Sequence, residues 1–304
     1  MIKPDCKTCR NRKECDLVLG KNSDRTGCQE WTPSKFSYGL PYKGSKNSIA
    51  DWIVDNLPPN MFLLDLFAGG CAVTHAAMRR GKYLGYLVND INEAPQVFYK
   101  ALFGEYDDPH YKQFVSREMF FGTNDMALKL IWSFGTDGKT YIYGKDIEHY
   151  KKLCHFQRLG ICDVMDFIKA DPHYPTHKWS NCQSAMNWER IHNIPLSFGE
   201  DLENIRTRLF VYQTSYENFQ LGPNPITTIY CDIPYKGTNS GCYGGFDHEK
   251  FYDWCRKQKH DIYVSEYQMP DDFEVVAERP KIVRAAAESN SIYKTEKLFV
   301  HRGG

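Results

Sequence analysis

The segment Asp232-Ile233-Pro234-Tyr235 carries the residue types needed to hold an amine on a planar ring. It directly follows Thr227–Cys231, whose composition predicts a strand, and α/β sheets bind their ligands at the carboxyl ends of strands. Pro234 restricts the preceding residue to extended backbone angles, which fixes the direction of the Ile233 carbonyl. A carboxylate, an oriented carbonyl and an aromatic face therefore predict a pocket in which both amine protons find acceptors and the ring stacks on Tyr235.

A second group of residues suits a nucleoside ligand. The apolar run Met61–Phe67 predicts a buried strand, and Gly69-Gly70 follows it where a helix opens. Glycines let the backbone turn tightly and approach a ligand, while free N–H groups at a helix start favour a carboxylate or phosphate. Asp90 lies 25 residues after Asp65, a spacing typical of a carboxylate that binds ribose hydroxyls. The dinucleotide pattern G-x-G-x-x-G is absent, which favours a nucleoside-like ligand without a pyrophosphate.

The elements that must position these residues follow an α/β pattern. Strand, helix and strand alternate at the spacing of a βαβ unit, which implies a parallel sheet with helices on its faces. Two further short strands near the C-terminus are expected to close the sheet. The predicted elements are a helix at Ser45–Leu57, a strand at Met61–Phe67, a helix at Cys71–Arg80, a strand at Tyr83–Asn89, a helix at Asn92–Phe103, strands at Arg208–Gln213 and Thr227–Cys231, a helix at Asp247–Lys257, and strands at Asp261–Ser265, Phe273–Ala277 and Lys297–His301.

The α/β pattern is interrupted between residues 105 and 205, where aromatic and charged residues follow no clear period. We interpret this stretch as an inserted domain between a first catalytic part, 35–104, and a second, 206–304. Residues 1–34 form a short cysteine-rich segment. Its four cysteines suggest a structural zinc knuckle, with an iron–sulfur site or free thiols as alternatives, because the spacing of the first pair suits zinc and the later gaps match no common pattern. These cysteines are Cys6, Cys9, Cys15 and Cys28.

Composition and charge exclude several classes of protein. The 304 residues include 38 basic and 38 acidic side chains, so the net charge gives no argument for nucleic-acid binding, although residues 1–50 are locally basic. No apolar run approaches the ~20 residues of a membrane helix, and no signal segment follows Met1. We expect a soluble, cytoplasmic protein with no membrane partner, acting as a monomer.

The motifs and their order resemble those of the Dam-like, D12-class DNA adenine-N6 methyltransferases, and most closely their bacteriophage-type members. Tyr42-Lys43-Gly44-Ser45-Lys46 is similar to the family's N-terminal motif, and Asp65–Gly70 to its S-adenosylmethionine loop. Asn89-Asp90-Ile91-Asn92 resembles the ribose-binding turn, and Asp232–Tyr235 stands where the family has its catalytic Asp-Pro-Pro-Tyr. The order of the motifs is that of the family's alpha arrangement.

The resemblance implies a Rossmann-like methyltransferase sheet with an inserted target-recognition domain. It implies transfer of the methyl group of S-adenosylmethionine to N6 of an adenine flipped out of double-stranded DNA. The catalytic residues would be Asp232, Ile233, Pro234 and Tyr235. Cofactor binding would fall to Tyr42, Lys46, Asp65, Phe67, Ala68, Gly69, Gly70, Asp90 and Ile91, although Tyr42 could equally be a core residue and Lys46 a solvated charge. Candidate phosphate contacts in the insertion are Lys139, Lys145, Lys151, Lys152 and Arg158.

Two positions depart from the family pattern. Ile233 replaces the first proline of the catalytic motif, and Ser215 stands where many relatives have an acidic residue. Because position 233 is used through its main-chain carbonyl, we expect the first change to affect rigidity more than chemistry. The two departures keep open a catalytically lapsed DNA-binding protein. A cytosine-N4 or an RNA adenine methyltransferase is a further alternative on the same fold, although an acidic first residue in the motif favours adenine.

Overall fold

The structure is a computed structural model that describes residues 37–160, 182–198, 201–222, 226–236, 245–284 and 291–303. Residues Tyr38–Gly304 form one compact unit. The four cysteines of the predicted zinc knuckle lie outside the described residues, and so do residues 161–181 of the predicted insertion.

Seven described strands form a single sheet with the order β3-β2-β1-β4-β5-β7-β6. The first five strands are parallel, and β7 pairs antiparallel with both β5 and β6. The strands are β1 (Phe62–Asp65), β2 (Gly85–Asp90), β3 (Leu209–Gln213), β4 (Thr227–Cys231), β5 (Ile262–Glu266), β6 (Glu274–Arg284) and β7 (Ser291–His301).

The order of the strands reverses between β1 and β4. From β1 the chain proceeds outward to β2 and β3 on one side, and β4 and β5 continue on the other. Leu63 and Ile229 are among the fully buried residues of these two central strands, as expected for strands covered on both faces. In open α/β sheets the crevice beside such a reversal, outside the carboxyl ends of the strands, is where ligands bind. Asp65 ends β1 and Asp232 directly follows β4 at this point.

Helices cover the sheet and the side of the cavity. The turn before the second helix requires unusual backbone angles, because Cys71 adopts the left-handed conformation with φ +58°. The next helix begins after Asn92, whose side-chain oxygen accepts a hydrogen bond from the Ala94 amide at 2.9 Å. In the described part of the chain the α-helices are α1 (Ala50–Asn56), α2 (Ala72–Arg80), α3 (Ala94–Leu102), α4 (Pro109–Lys112), α5 (Arg117–Gly122), α6 (Met126–Trp132), α7 (Glu148–Arg158), α8 (Gln183–His192), α9 (Leu202–Arg206) and α10 (His248–Arg256).

The described helices between residues 105 and 205 are joined to the sheet part by partly buried polar contacts. Arg190 of α8 donates to the Gly39 carbonyl at 3.1 Å, and the Ser197 hydroxyl lies 2.8 Å from Nε2 of His75 in α2. Asn187 of α8 donates to the Ile131 carbonyl of α6 at 3.0 Å, which holds these two helices together. The domain boundaries at residues 104 and 205 stay a prediction.

The C-terminal hairpin is longer than the sequence analysis predicted. Instead of two short strands near Phe273–Ala277 and Lys297–His301, β6 and β7 each extend over eleven residues. Pro280 and several charges interrupt the apolar alternation of β6, so the pattern indicated only its first half. No helix in the described ranges is both long enough and apolar enough to cross a lipid bilayer.

Candidate active site

A cavity of about 770 Å³ opens at the point where the strand order reverses. Its volume falls in the upper part of the ~300–1,000 Å³ range of small-molecule sites. Both groups of residues that the sequence analysis selected line this one cavity. They are Tyr42, Lys46, Asp65, Phe67, Ala68, Gly69, Gly70, Asp90 and Ile91 from the predicted cofactor site, with Asp232, Ile233, Pro234 and Tyr235 from the predicted catalytic motif.

The turn at Gly69 and Gly70 is closed on one side by Tyr42. Gly69 has φ +47°, and a Cβ atom at Gly69 or Gly70 would approach Tyr42 to 2.8 or 2.6 Å. The Leu40 amide donates to the Gly70 carbonyl at 2.8 Å, which fixes the segment that carries Tyr42 against the turn. Glycine at both positions is therefore what lets the aromatic ring lie on the backbone.

Asp90 ties the end of β2 to the glycine turn. Its Oδ2 accepts a hydrogen bond from the Gly69 amide at 2.8 Å, and its Oδ1 accepts from the Asn92 backbone amide at 3.1 Å. The side-chain amide of Asn92 donates to the Tyr42 hydroxyl at 2.8 Å, so the two cavity walls are connected. Burial raises the pKa of Asp90, and the backbone amides of Asn92 and Gly69 act in the opposite direction.

Asp65 is a buried carboxylate with one unused oxygen. Its Oδ2 accepts a hydrogen bond from Thr74 of α2 at 2.8 Å, whereas Oδ1 is buried without a hydrogen-bond partner among the described residues. Burial, with a smaller contribution from the nearby charges of Asp232 and Asp90, raises the pKa of Asp65 to about 7 against the hydrogen bond from Thr74. A buried acceptor that has no hydrogen-bond donor and lies at a cavity wall is suited to bind a cationic or N–H group of a ligand.

The predicted catalytic motif is linked to Lys46 by a short ion pair. The Lys46 ammonium lies 2.6 Å from Oδ1 of Asp232, and 4.3 Å from the centre of the Tyr235 ring. Lys46 is only 6% exposed, so it is not the solvated charge that the sequence allowed. The same ammonium lies 3.9 Å from Oε1 of Glu296 on β7, and that oxygen accepts a hydrogen bond from the Tyr235 hydroxyl.

The backbone of the predicted catalytic motif is restrained by core packing at Ile233 and by a hydrogen bond at Pro234. The Ile233 side chain is 1% exposed and belongs to the apolar cluster that includes Phe251 of α10. His248 donates through Nε2 to the Pro234 carbonyl at 2.7 Å. Packing of the isoleucine into the core provides a restraint at the position where relatives carry a proline.

Ser215 lies at the cavity wall, where its hydroxyl caps a short 3₁₀ turn at Tyr216–Asn218 by accepting from the Glu217 amide at 3.4 Å. Tyr216 in this turn packs against Phe67, with ring centres 5.4 Å apart. The serine therefore performs a capping role that an aspartate could also perform.

Sequence reasoning missed the carboxylates that the C-terminal strands bring to the site. Glu266 ends β5, accepts from the backbone amides of Lys236 at 2.9 Å and Tyr267 at 2.7 Å, and burial raises its pKa to about 7. Glu296 reaches the site from β7. Neither residue has a local sequence signal, because each stands in an ordinary strand and becomes recognisable only when the sheet is assembled.

One candidate phosphate contact is corrected by the structure. Lys151 is 7% exposed and its ammonium lies 5.7 Å from the Tyr143 ring centre, so it is part of the helical core. Lys139, Lys145 and Lys152 are exposed, and Arg158 forms an ion pair with Glu189 at 2.7 Å. No group of three or more His, Cys, Asp or Glu side chains in the described part of the chain could hold a metal ion.

This seven-stranded sheet and its cavity between an acidic strand end and a glycine turn define a Rossmann-like protein of the methyltransferase type. A family described as D12 class N6 adenine-specific DNA methyltransferase matches residues 42–300. The chain therefore belongs to this family, and the resemblance seen in its motifs is confirmed. The chain is also similar to the Retron Ec67 DNA adenine methylase of Escherichia coli, with 24% identity over 244 residues that cover 74% of this chain and 75% of that protein.

Family membership establishes the reaction class. The protein is an adenine-specific DNA methyltransferase, and methyltransferases of this family use S-adenosylmethionine as the methyl donor.

Proposed function

We propose that this cavity binds S-adenosylmethionine and an extruded adenine side by side, and that Asp232 holds the adenine N6 for methylation. The observation that carries the proposal is that Asp232–Tyr235 opens into the same cavity as Asp65, the glycine turn and Asp90. Two binding subsites in one cavity allow the methyl group to pass directly from the donor to the acceptor atom without passing through solvent.

The subsite at β1 and β2 has the chemistry for the donor. S-adenosylmethionine supplies a methyl group on a positively charged sulfur. We assign Asp90 to its ribose hydroxyls, because this carboxylate stands at the end of β2 where nucleoside sugars bind. The unsatisfied Oδ1 of Asp65 suits a cationic N–H group, and the Tyr42 ring forms a wall. The excess of carboxylates around this subsite favours a cationic ligand.

The subsite at β4 has the chemistry for the acceptor. The lone pair of adenine N6 is delocalised into the ring, so the nitrogen is a poor nucleophile. Hydrogen bonds to Asp232 and to the Ile233 carbonyl favour a more tetrahedral nitrogen as positive charge develops, and these acceptors are held in place before the reaction. Alignment of the nitrogen with the methyl group supplies the proximity effect, for which ~7–11 kcal/mol is available in favourable cases.

An adenine inside a duplex cannot reach this cavity, so we propose that the base is flipped out. Extrusion costs a few kcal/mol, and stacking on an aromatic ring offsets part of this cost. Tyr235 offers such a ring beside Asp232. Its hydroxyl is already bound to Glu296, which leaves the face of the ring as the contact surface. Placement among bacteriophage-type members stays a prediction.

The test is transfer of a labelled methyl group from S-adenosylmethionine to duplex DNA, followed by nucleoside analysis. Label in N6-methyladenine supports the proposal. Label in N4-methylcytosine contradicts it, and so does DNA binding without label, which would indicate the lapsed alternative.

The role of Asp232 has its own variant test. We expect Asp232→Ala to abolish transfer while S-adenosylmethionine binding stays near wild type, because the residue contacts the base and not the donor. Asp271→Ala, the same change at an exposed turn outside the cavity lining, serves as the control. An active Asp232→Ala enzyme would show that the acceptor role is wrongly assigned.

A further inference from the structure

We propose that Glu296 is a positioning residue of the active site, which orients the Tyr235 ring and draws the Lys46 ammonium away from Asp232 when the base binds. The inference rests on the proposed function, since it assumes that Asp232 accepts from adenine and that Tyr235 stacks on it. It assigns a role to a strand, β7, that carries none of the family-like motifs.

The contacts of Glu296 join the two parts of the proposed acceptor subsite. One carboxylate oxygen, Oε1, accepts from the Tyr235 hydroxyl and lies 3.9 Å from the Lys46 ammonium. Tyr267 also packs against the Tyr235 ring, with the two rings nearly perpendicular and 4.7 Å between their centres. A ring restrained both at its hydroxyl and by a neighbouring ring keeps few orientations, which favours a fixed geometry for an incoming base.

Burial makes Glu296 costly unless it has partners. Its side chain is 0% exposed, and a buried carboxylate is tolerated only where cations or donors compensate for lost hydration. The carboxylate is carried by a strand that pairs on both sides, with β6 and with β5, so its position is fixed by backbone hydrogen bonds. A rigidly placed buried charge is better suited to orienting neighbours than a mobile surface charge.

Lys46 lies between two carboxylates, close to Asp232 and farther from Glu296. While the ammonium binds Oδ1 of Asp232, it competes with the amine that this carboxylate is proposed to accept. Attraction to Glu296 lowers the free energy needed to shift the ammonium toward β7, because opposite charges in a poorly hydrated site interact strongly. Without the charge of Glu296, Lys46 would hold Asp232 more tightly and the acceptor would be less available.

A purely structural role for Glu296 predicts a different outcome. In that case its replacement would lower the stability of the fold and the amount of active enzyme, with kcat per folded molecule unchanged. A positioning role predicts a lower kcat in a folded enzyme whose affinity for S-adenosylmethionine is intact.

The first experiment compares Glu296→Gln with Glu278→Gln. Glutamine keeps the shape of the side chain but removes the charge, and its neutral oxygen is a weaker acceptor for the Tyr235 hydroxyl. The control, Glu278, is an exposed glutamate on β6 that pairs with Lys297 at 2.8 Å. We expect Glu296→Gln to lower kcat by about 10- to 100-fold, the size of effect that follows from slight misplacement of reacting groups. Its Kd for S-adenosylmethionine should change by less than about threefold. Glu278→Gln should match wild type in both.

The second experiment combines Glu296→Gln with Tyr235→Phe, which removes the hydroxyl that donates to Glu296. If the two residues act through one contact, each single change lowers kcat and the double variant is much less impaired than the product of the single effects. A folded Glu296→Gln enzyme with wild-type kcat, or single effects that multiply fully, would overturn the inference. If Glu296→Gln does not fold, a wild-type kcat for Tyr235→Phe would overturn the inference instead. In each case methylation by wild type and its loss in Asp232→Ala would leave the proposed function intact.

Discussion

At the scale of single residues, the cavity depends on Tyr42 lying directly on the backbone of the glycine turn. The ring can reach that position because Gly69 and Gly70 have no side chain, and its hydroxyl accepts from Asn92. Asn92 in turn contacts Asp90 through both its backbone and its side-chain amide. A change at the turn should therefore be transmitted to Asp90 and to the wall that we assign to the donor.

The variants Gly69→Ala and Gly81→Ala separate backbone strain from displacement of Tyr42. Both glycines have positive φ, at +47° and +60°, so alanine costs roughly 1 kcal/mol of stability at either position. A Cβ at Gly69 would meet Tyr42 at 2.8 Å, whereas a Cβ at Gly81 meets nothing within 4 Å. We expect Gly69→Ala to lose at least as much stability as Gly81→Ala, because Tyr42 must shift as well, and we expect a weaker affinity for S-adenosylmethionine in Gly69→Ala alone.

Calorimetric titration with S-adenosylmethionine and urea unfolding measure the two effects separately. Equal donor affinities in the two glycine variants would mean that Tyr42 is not part of the donor subsite and is only a core residue. This is the alternative that the sequence left open for Tyr42.

At the scale of the elements, the parallel strands and the helices next to them could be predicted, whereas the helices between residues 105 and 205 and the full length of the C-terminal hairpin could not. The strand predicted at Asp261–Ser265 is observed at Ile262–Glu266, and Thr227–Cys231 has the predicted bounds. Such strands are buried on both faces, so an apolar run is sufficient to locate them. Asp65 and Asp232 could be placed at one edge because the ends of parallel strands necessarily share it.

Glu296 could not be found in this way, because its neighbours at the site come from distant parts of the chain. A glutamate in a strand with mixed charges has the pattern of an ordinary surface residue, and only the antiparallel pairing of β7 with β5 brings it to Tyr235. Lys151 is the opposite case, because it stands close to exposed lysines in the sequence but is buried among the helices when α7 packs. Local patterns do not report which distant residues will cover a side chain.

The segment that follows α6 carries an exposed aromatic side chain, which is relevant to contact with DNA. Trp132 is fully buried, whereas Phe134, two residues later, is 67% exposed. The Lys43 amide donates to the Thr136 carbonyl at 3.2 Å, which ties this segment to a residue that lines the cavity. An exposed aromatic ring beside the cavity is suited to stacking on bases next to an extruded adenine.

We therefore expect Phe134→Ala to weaken productive DNA binding. The loss of one stacking contact should raise KM for duplex DNA by roughly 10-fold, since base–aromatic stacking contributes about 1–3 kcal/mol. The affinity for S-adenosylmethionine should not change. Steady-state kinetics at varied DNA concentration provide the measurement, with Phe210→Ala on the edge strand β3, outside the cavity lining, as the matched control. An unchanged KM would show that Phe134 makes no contact with DNA.

At the scale of the whole molecule, several buried acidic groups lie in the cavity wall and directly behind it. Asp65 and Glu266 both have a pKa raised to about 7, chiefly by burial. The charge of Asp232 contributes to the raised pKa in each case, and Lys46 acts against it at Glu266. Ionising both buried groups is unfavourable in the unliganded protein, whereas a cationic ligand in the cavity would compensate for part of their charge. Affinity for the donor and stability of the unliganded protein are thus opposed.

This opposition predicts that the unliganded protein loses stability as the pH rises through about 7. The ordinary pKa values of Asp65 and Glu266 are 3.8 and 4.5, below those in the folded state, so the folded protein binds more protons between about pH 4 and pH 7. The stability that these protons provide is complete below the ordinary values and is lost as the pH rises through the folded ones. We expect the free energy of unfolding to fall by up to about 4 kcal/mol between pH 5.5 and 8.5, about 2 kcal/mol for each group, which is a large part of a typical total of about 5–15 kcal/mol. Urea unfolding across this range measures the change, and Asp65→Asn combined with Glu266→Gln should flatten it.

S-adenosylmethionine should raise stability more at the upper end of the range, because a ligand that binds only the folded state adds its binding free energy and the carboxylates that attract it are ionised there. A pH profile that the double variant does not alter would mean that Asp65 and Glu266 keep their ordinary pKa values in the folded protein.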